Sequence, residues 1–409
     1  MAQHPNRFLT QAAFERQHLP KFQSFHFFHQ GEPSMKLFSC ACQGLDHPSH
    51  LLSGQPNRID TSKRGFLTGL STLAGAAAGV GSAGSLLFAG MNSAHAQSAA
   101  KPHRIDIHHH VVPPAYVDAV KNREGVAAPK WSPQASIEDM DMSGIATSVV
   151  ALIQPGAYFK DIELDRRLSR ESNEYVAKMV QTYPGRFGSF ATLPLMDVPG
   201  SLKEIEYAMD TLKADGIGLM TSYGTKYLGD KHFWPIWEEL NRRGAAIYVH
   251  PLMPECCKNP FPEVPPSAIE YATDTTRTIA SMLFGGAANK FPNIKWIWSH
   301  SGGTMPFLWS RFTRQEVDMK EKAKEVLPNG VLAEVKRFHY DTAQGHHEGA
   351  MAALRALIPT SQIMFGSDFP YRKGAEVRDG LGARSFTPEE RMAIDRGNAL
   401  RIMPKLKTI

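Results

Sequence analysis

Between Arg104 and Pro370 the chain repeats one pattern eight times: a short β-rich run, then a longer stretch in which apolar residues return at three and four. The runs are Arg104 to Val111, Ala146 to Ile153, Arg186 to Pro194, Gly216 to Tyr223, Ala245 to Pro251, Lys295 to Gly302, Phe338 to Ala343 and Ile363 to Pro370. Helices are expected between them, at Leu164 to Thr182, Ser201 to Ala214, Phe233 to Arg243, Thr275 to Lys290 and His347 to Ile358, with Gly or Pro closing many of them. Such alternation implies a parallel sheet. Near-continuous apolar runs such as Ala245-Ala246-Ile247-Tyr248-Val249 imply strands covered on both faces. A (β/α)8 TIM barrel over residues 101–405 is the economical arrangement. A doubly wound open sheet is the alternative, but no Gly-x-Gly-x-x-Gly follows the first run to support a dinucleotide site there.

Residues 1–96 are a different material. From Gly65 to Ala100 there is no Asp, Glu, Lys or Arg, and the Gly-rich stretch is too weakly apolar for a membrane span. A basic start at Ser62-Lys63-Arg64-Gly65-Phe66-Leu67, a mild apolar region and Ala94-His95-Ala96 stand in the order of an export signal, so residues 61–96 are read as one. The opening is similar to the twin-arginine type, with Lys63 in place of the first Arg. Export to the periplasm is expected, and a cytoplasmic location if the signal does not function. Residues 1–60 hold six of the 17 histidines without periodicity and read as a disordered leader or an over-extended start, with Met35 an alternative beginning. Neither segment belongs to the fold.

Composition closes off other classes. A formal excess of five positive charges over 409 residues gives no basic surface for nucleic acid. The four cysteines form neither a zinc-ribbon spacing nor a disulfide framework. Cys256-Cys257 reads as a pair of loop thiols, or as a vicinal disulfide if oxidised. Gly285-Gly286 lacks the Lys-Ser/Thr of a phosphate loop and reads as close packing at a helix end.

In a barrel the chemistry lies at the C-terminal ends of the strands. The first run ends Asp106-Ile107-His108-His109-His110, and strand alternation puts Asp106, His108 and His110 on one face with His109 turned away. The fifth run ends at His250, the sixth at His300 in Ser299-His300-Ser301-Gly302-Gly303, and the eighth at Asp368 in Gly366-Ser367-Asp368-Phe369-Pro370. A single histidine at a strand end is ordinarily structural. His108, His110, His250 and Asp368 together offer the nitrogen and oxygen ligands of one divalent ion, zinc or another transition metal such as manganese. His346-His347-Glu348 reads as the solvated opening of a helix that could edge the pocket.

These words resemble the amidohydrolase superfamily of metal-dependent hydrolase barrels. Asp106 to Pro113, Tyr183 to Phe187, Ser299 to Gly303 with Pro306, and Gly366 to Pro370 with Gly397-Asn398-Ala399 are similar to its aminocarboxymuconate-semialdehyde decarboxylase-like branch. The likeness runs from Ile105 to about Met403. It implies His108, His110, His250 and Asp368 as ligands, His300 as the unligated acid/base, and a share of the proton work for Asp368. One metal is implied, because Met220 and Thr221 stand where two-metal members carry a bridging side chain.

Decarboxylating relatives often place an Arg eleven residues after the sixth-strand His, reaching across a homodimer to the substrate carboxylate; here that is Arg311. Arg123 and Lys130 give no clear match to the second Arg that serves dicarboxylates. A small monocarboxylic acid such as a hydroxylated benzoate is therefore expected, and Gly216 to Gly224 is similar to the methylsalicylate decarboxylases. Trp131, Tyr158, Tyr223 and Phe369 could stack on its ring, Trp131 and Tyr223 being the substrate-binding candidates. The expected activity is non-oxidative decarboxylation. The same ligand set permits hydrolysis of an ester, lactone or amide, and an exported binding protein without turnover is the third reading.

Overall fold

The computed structural model describes residues 103–121, 128–258 and 261–408. The leader, the signal segment and Arg123 lie outside the described residues. Eight parallel strands form one sheet in chain order: β1 (Arg104–Val111), β2 (Ile145–Leu152), β3 (Phe187–Thr192), β4 (Gly216–Met220), β5 (Ala246–His250), β6 (Lys295–Trp298), β7 (His339–Asp341) and β8 (Ile363–Met364). Backbone bonds close it between β1 and the segment after β8: Ile107 N to Phe365 O at 3.0 Å, Asp368 N to His108 O at 2.8 Å and His110 N to Phe369 O at 2.8 Å. The chain is the expected (β/α)8 barrel. Among the described residues no helix is long and apolar enough to cross a membrane.

The helices carry the signals that start and stop them. Ser132 caps Pro133–Ser143 by accepting from Ala135 N at 3.1 Å, and Gly144 ends that helix at φ 68°. Asp161 accepts from the N–H groups of Glu163 and Leu164 at the head of Ile162–Thr182, whose Leu168, Ser172, Val176 and Met179 return at three and four on the buried side. Trp234–Arg243 stops at Gly244, φ 60°.

Two hydrophobic layers result. Ile105, Ile107, Val149, Ala151, Phe190, Ala246, Tyr248, Ile297 and Met364 fill the barrel, plugged from below by Ala399, Met403 and Leu406 near the C-terminus. Trp237, Trp296, Trp298 and Phe338 pack between strands and helices and are fully or almost fully buried.

Three of the departures from the sequence expectation have a local physical cause. The helix expected from Thr275 begins at Pro266, because Pro presets the first helical φ while half-exposed residues such as Ile269 hide the apolar period. The sixth run stops at Trp298, since His300, Ser301, Gly302 and Gly303 all have φ between 51° and 79° and cannot extend a ladder. The third departure is a bulge in β1: Asp106 pairs with Ser148 but His109 with Val150, so one extra residue is accommodated. The bulge reverses the alternation. Ile105 and Ile107 point inward below it and His108 and His110 inward above it, so Asp106 faces outward with His109 and not with the two histidines as expected.

Candidate metal centre

The ligand atoms of His108, His110, His250 and Asp368 all lie within 4.8 Å of one another, and all four residues are buried. His108 and His110 come from the end of β1, His250 is the last residue of β5, and Asp368 stands on the turn after β8 at φ 70°. This left-handed backbone, tolerated by Asp better than by most residues, points its carboxylate at the barrel axis. Asp368 Oδ1 is 3.0 Å from His110 Nε2, 3.1 Å from His108 Nε2 and 4.0 Å from His250 Nε2.

The remaining contacts decide which ring nitrogen is free. His108 Nδ1 donates to Asp341 Oδ2 at 2.7 Å, and His250 Nδ1 donates to Pro251 O at 2.8 Å. Each turns its Nε2 toward the centre, the nitrogen a metal takes once its proton has left. His108 Nε2 is fully buried and lacks an aligned hydrogen-bond partner although a carboxylate oxygen is 3.1 Å away. A buried unpaired donor or acceptor costs about 1–3 kcal/mol, and a cation among these groups removes that cost. Three imidazoles and one carboxylate fit a divalent transition ion, and the described residues thus present one divalent-metal site.

Electrostatics agree. Burial disfavours charge on His250, and the neighbouring His110, His108 and His300 add to that, so its imidazole is held neutral well below the ordinary range. For His108 burial acts in the same direction, but the Asp341 and Asp368 carboxylates outweigh it and hold a proton there when no cation is present. Asp368 stays ionised far below the ordinary carboxylate range: burial opposes this, and His108, His110 and His300 overcome it.

His300 takes the place expected of an unligated acid/base. It stands at φ 51° on the turn after β6, with its Nε2 3.4 Å from Asp368 Oδ2 and its ring centroid 4.9 Å from that of His108. Asp341 Oδ1 holds the His300 backbone N–H at 2.9 Å and that of Ala343 at 3.0 Å. Gly366 sits against these groups, where an added Cβ would come within 2.8 Å of His108 Cβ and 3.0 Å of Asp341 Cβ. At the end of β4, Met220 fills the space beside Gly156 and offers no bridging ligand.

The other candidates lie in varied settings. Arg311 is exposed on the helix Trp309–Asp318 and makes no side-chain hydrogen bond or ion pair among the described residues. Trp131 is half-buried and donates its Nε1–H to Ser136 Oγ at 2.9 Å. Tyr223 is buried, its hydroxyl accepting from Met220 N at 3.0 Å and its ring edge-on to Tyr158 at 5.7 Å. His346 is buried where a solvated helix start was expected, because it packs on Gly380, while His347 is exposed. Cys256 and Cys257 are free thiols, and Gly286 turns the chain at φ 84° at the helix end.

Sequence reasoning missed Asp341, Gln344, Tyr271 and Tyr371. Gln344 donates to Asp368 Oδ2. Tyr271 and Tyr371 stand with ring centroids 6.3 Å from His250 and 5.4 Å from His110, and Tyr271 accepts from Gln154 Nε2 at 3.1 Å. The one available signal was an acidic residue ending the β7 run.

Residues 105–405 match the family described as amidohydrolase. Decarboxylase yanB of Aspergillus niger is 34% identical over 328 residues, covering 74% of this chain and 88% of that protein. The 6-methylsalicylic acid decarboxylase of Penicillium expansum is 32% identical over 317 residues, covering 75% and 98%. A solved dihydroxybenzoic acid decarboxylase from Polaromonas sp., with bound manganese and the inhibitor 2-nitroresorcinol, superimposes with a TM-score of 0.64 at 19% identity, covering 74% of this chain and 96% of that one.

Proposed function

This chain belongs to the amidohydrolase family, and from that premise we propose that it is a metal-dependent, non-oxidative decarboxylase of a small hydroxylated aromatic acid. The observation that carries the reading is the pairing of a complete ligand set with one histidine, His300, left outside it and aimed at Asp368. His108, His110, His250 and Asp368 would hold the ion. When bound, it supplies the positive charge that holds the substrate's oxygens and takes up negative charge developing as carbon dioxide departs.

His300 delivers the proton. Its Nε2 protonates the ring carbon that bears the carboxylate, the bond to the carboxylate carbon breaks, and the acid becomes an arene and carbon dioxide without redox change. Asp368 Oδ2 orients that imidazole, and Gln344 holds the same oxygen. The Asp341 bond to the His300 backbone keeps the ring over the site.

Zinc is the proposed ion, supported by the three imidazoles; the relative with bound manganese makes manganese the competing outcome of the metal analysis. A homodimer in which Arg311 of one protomer pairs with carboxylate at the other's site is also proposed, supported by its exposure and lack of an ion pair among the described residues. Trp131 and Tyr223 are proposed to flank the ring. Residues 61–96 are proposed to direct export by a twin-arginine-like route, supported by the order of their basic, apolar and Ala-x-Ala elements. Unchanged secretion after deletion of residues 1–96 would sink that part.

The test of the activity is elemental analysis coupled to carbon dioxide release from a panel of hydroxybenzoates. About one metal per chain with carbon dioxide evolved is expected, His110→Ala abolishing both and His300→Ala turnover alone. Full metal loading without carbon dioxide from any member overturns the reading. Sedimentation of the Arg311→Ala protein, with KM measured in parallel, tests the dimer and the carboxylate contact.

A further inference from the structure

We infer that Asp106 and His109, neither of which joins the ligand cage, are positioning residues that clamp strand β1 to the Asp368 turn and so set the geometry offered to the ion. This rests on the metal centre and not on the reaction.

The bulge in β1 takes the His108 backbone N–H out of the ladder. Asp106 Oδ1 accepts it at 3.0 Å, and the same oxygen accepts the N–H of Ser367, the residue before Asp368, at 2.9 Å. One carboxylate oxygen thus ties the backbone of one metal ligand to the neighbour of another. Asp106 Oδ2 accepts from Ser367 Oγ at 2.6 Å and from His109 Nδ1 at 3.0 Å. Four donors satisfy a carboxylate that is wholly buried, and the Asp368 N to His108 O bond of 2.8 Å lies between them.

His109 braces this carboxylate from behind. Its ring stacks on Phe369 at 4.8 Å, and its Nε2 accepts from Ser136 Oγ at 2.9 Å. Ser136 in turn accepts the Trp131 indole N–H at 2.9 Å. Ser136, His109 and Asp106 have the membership of a nucleophilic triad, but all three are wholly buried and the serine oxygen already receives the indole proton. No acyl group can reach it. The arrangement instead fixes the ring, with Nδ1 directed at Asp106 and Nε2 at Ser136.

Outer partners of metal ligands change affinity by about 10–100-fold when removed. Asp106→Asn keeps the shape but turns one acceptor into a donor facing either Ser367 and His108 or His109. Ser367→Ala keeps the backbone bond to Asp106, removes the hydroxyl's bonds to Asp106 and to the Phe369 N–H, and serves if the first variant does not fold. Each is compared with the wild-type chain in three measurements: cobalt(II) affinity by competition with a chromophoric chelator, the visible d–d spectrum of the cobalt(II) protein, and the unfolding midpoint of the metal-free protein. Binding about 10–100-fold weaker with displaced d–d bands, at a metal-free midpoint near that of wild type, supports the clamp. Wild-type affinity and bands in both variants overturn it, as does a lowered midpoint with unchanged bands, which is a structural role alone. Failure of the wild-type chain to bind cobalt(II) overturns the metal centre and the clamp together. Absence of carbon dioxide release by the metal-loaded wild-type chain, with metal binding that depends on the clamp, overturns only the proposed reaction.

Discussion

Replacing Asp341 with Asn should leave the barrel folded and largely empty it of metal. Asp341 accepts three bonds: from His108 Nδ1 at 2.7 Å, from the His300 N–H at 2.9 Å and from the Ala343 N–H at 3.0 Å. The Asn carbonyl oxygen can take over the two backbone bonds from the Oδ1 position. Its NH2 then faces His108 Nδ1 and favours the tautomer in which Nδ1 accepts and Nε2 carries the proton. That tautomer has no lone pair for the ion. Binding metal requires the other tautomer, with two donors confronting each other and a charge-assisted bond worth about 1.5–3 kcal/mol forgone. At 1.4 kcal/mol per decade this weakens metal binding about 10- to 150-fold. The stabilisation that metal confers falls by the same amount, since at fixed metal it varies as RT times the logarithm of the dissociation constant. Chelator competition and thermal unfolding with and without metal read the two quantities independently. An Asp341→Asn protein with wild-type affinity and wild-type metal stabilisation would refute the tautomer argument. Asp341→Ala is the contrast: it orphans all three donors and should lower metal-free stability as well.

Further expectations concern the acid/base, the core, the turn and pH. His300→Ala should lower turnover by about 10²–10⁴-fold in a carbon dioxide assay at unchanged metal content; turnover within a few-fold of wild type would assign the proton to another group. Trp237→Ala, in the layer between strands and helices, should cost about 3–5 kcal/mol in urea unfolding. Gly303→Ala should be poorly tolerated: the residue sits at φ 66° and ψ −134°, and a Cβ would stand 2.1 Å from Ala272 O, so strain of about 1–3 kcal/mol adds to a backbone clash that displaces the His300 turn. His339, almost wholly buried, is lowered to about 4 by burial, with Arg401 and Lys295 adding to the shift. Because the unfolded chain takes up this proton near 6.5 and the native one only near 4, stability present above 6.5 declines as pH falls between the two values, by about 3 kcal/mol. His339→Phe should flatten that part of the pH profile in urea titrations; an unchanged profile would show that another group dominates it.

The ligand set was legible because each ligand ends an apolar run, and a charged or imidazole side chain there has little reason to exist in a two-sided buried strand unless it meets a partner. His108, His110, His250 and Asp368 announce themselves in that way, and His300 follows from the resemblance. Asp341 ends a run too, but nothing local says that its carboxylate crosses to a histidine 233 positions away. Gln344, at φ 50° on a turn, carries no pattern at all. The outward face of Asp106 was misread because strict alternation assumes an unbroken strand, and a bulge is set by what packs against it.

What the sequence determined by itself is the order of strands and helices and the set of four candidate ligands. These follow from side-chain period, strand ends and turn residues, all of which act within a few positions. Only the tertiary structure decided which ring nitrogens face the ion, that Asp106 turns away from it, and that Gly366 must lack a side chain. Those depend on barrel closure, which brings Asp106 against Ser367, 261 positions away, and no local preference encodes a contact whose partners meet only when the last strand docks on the first.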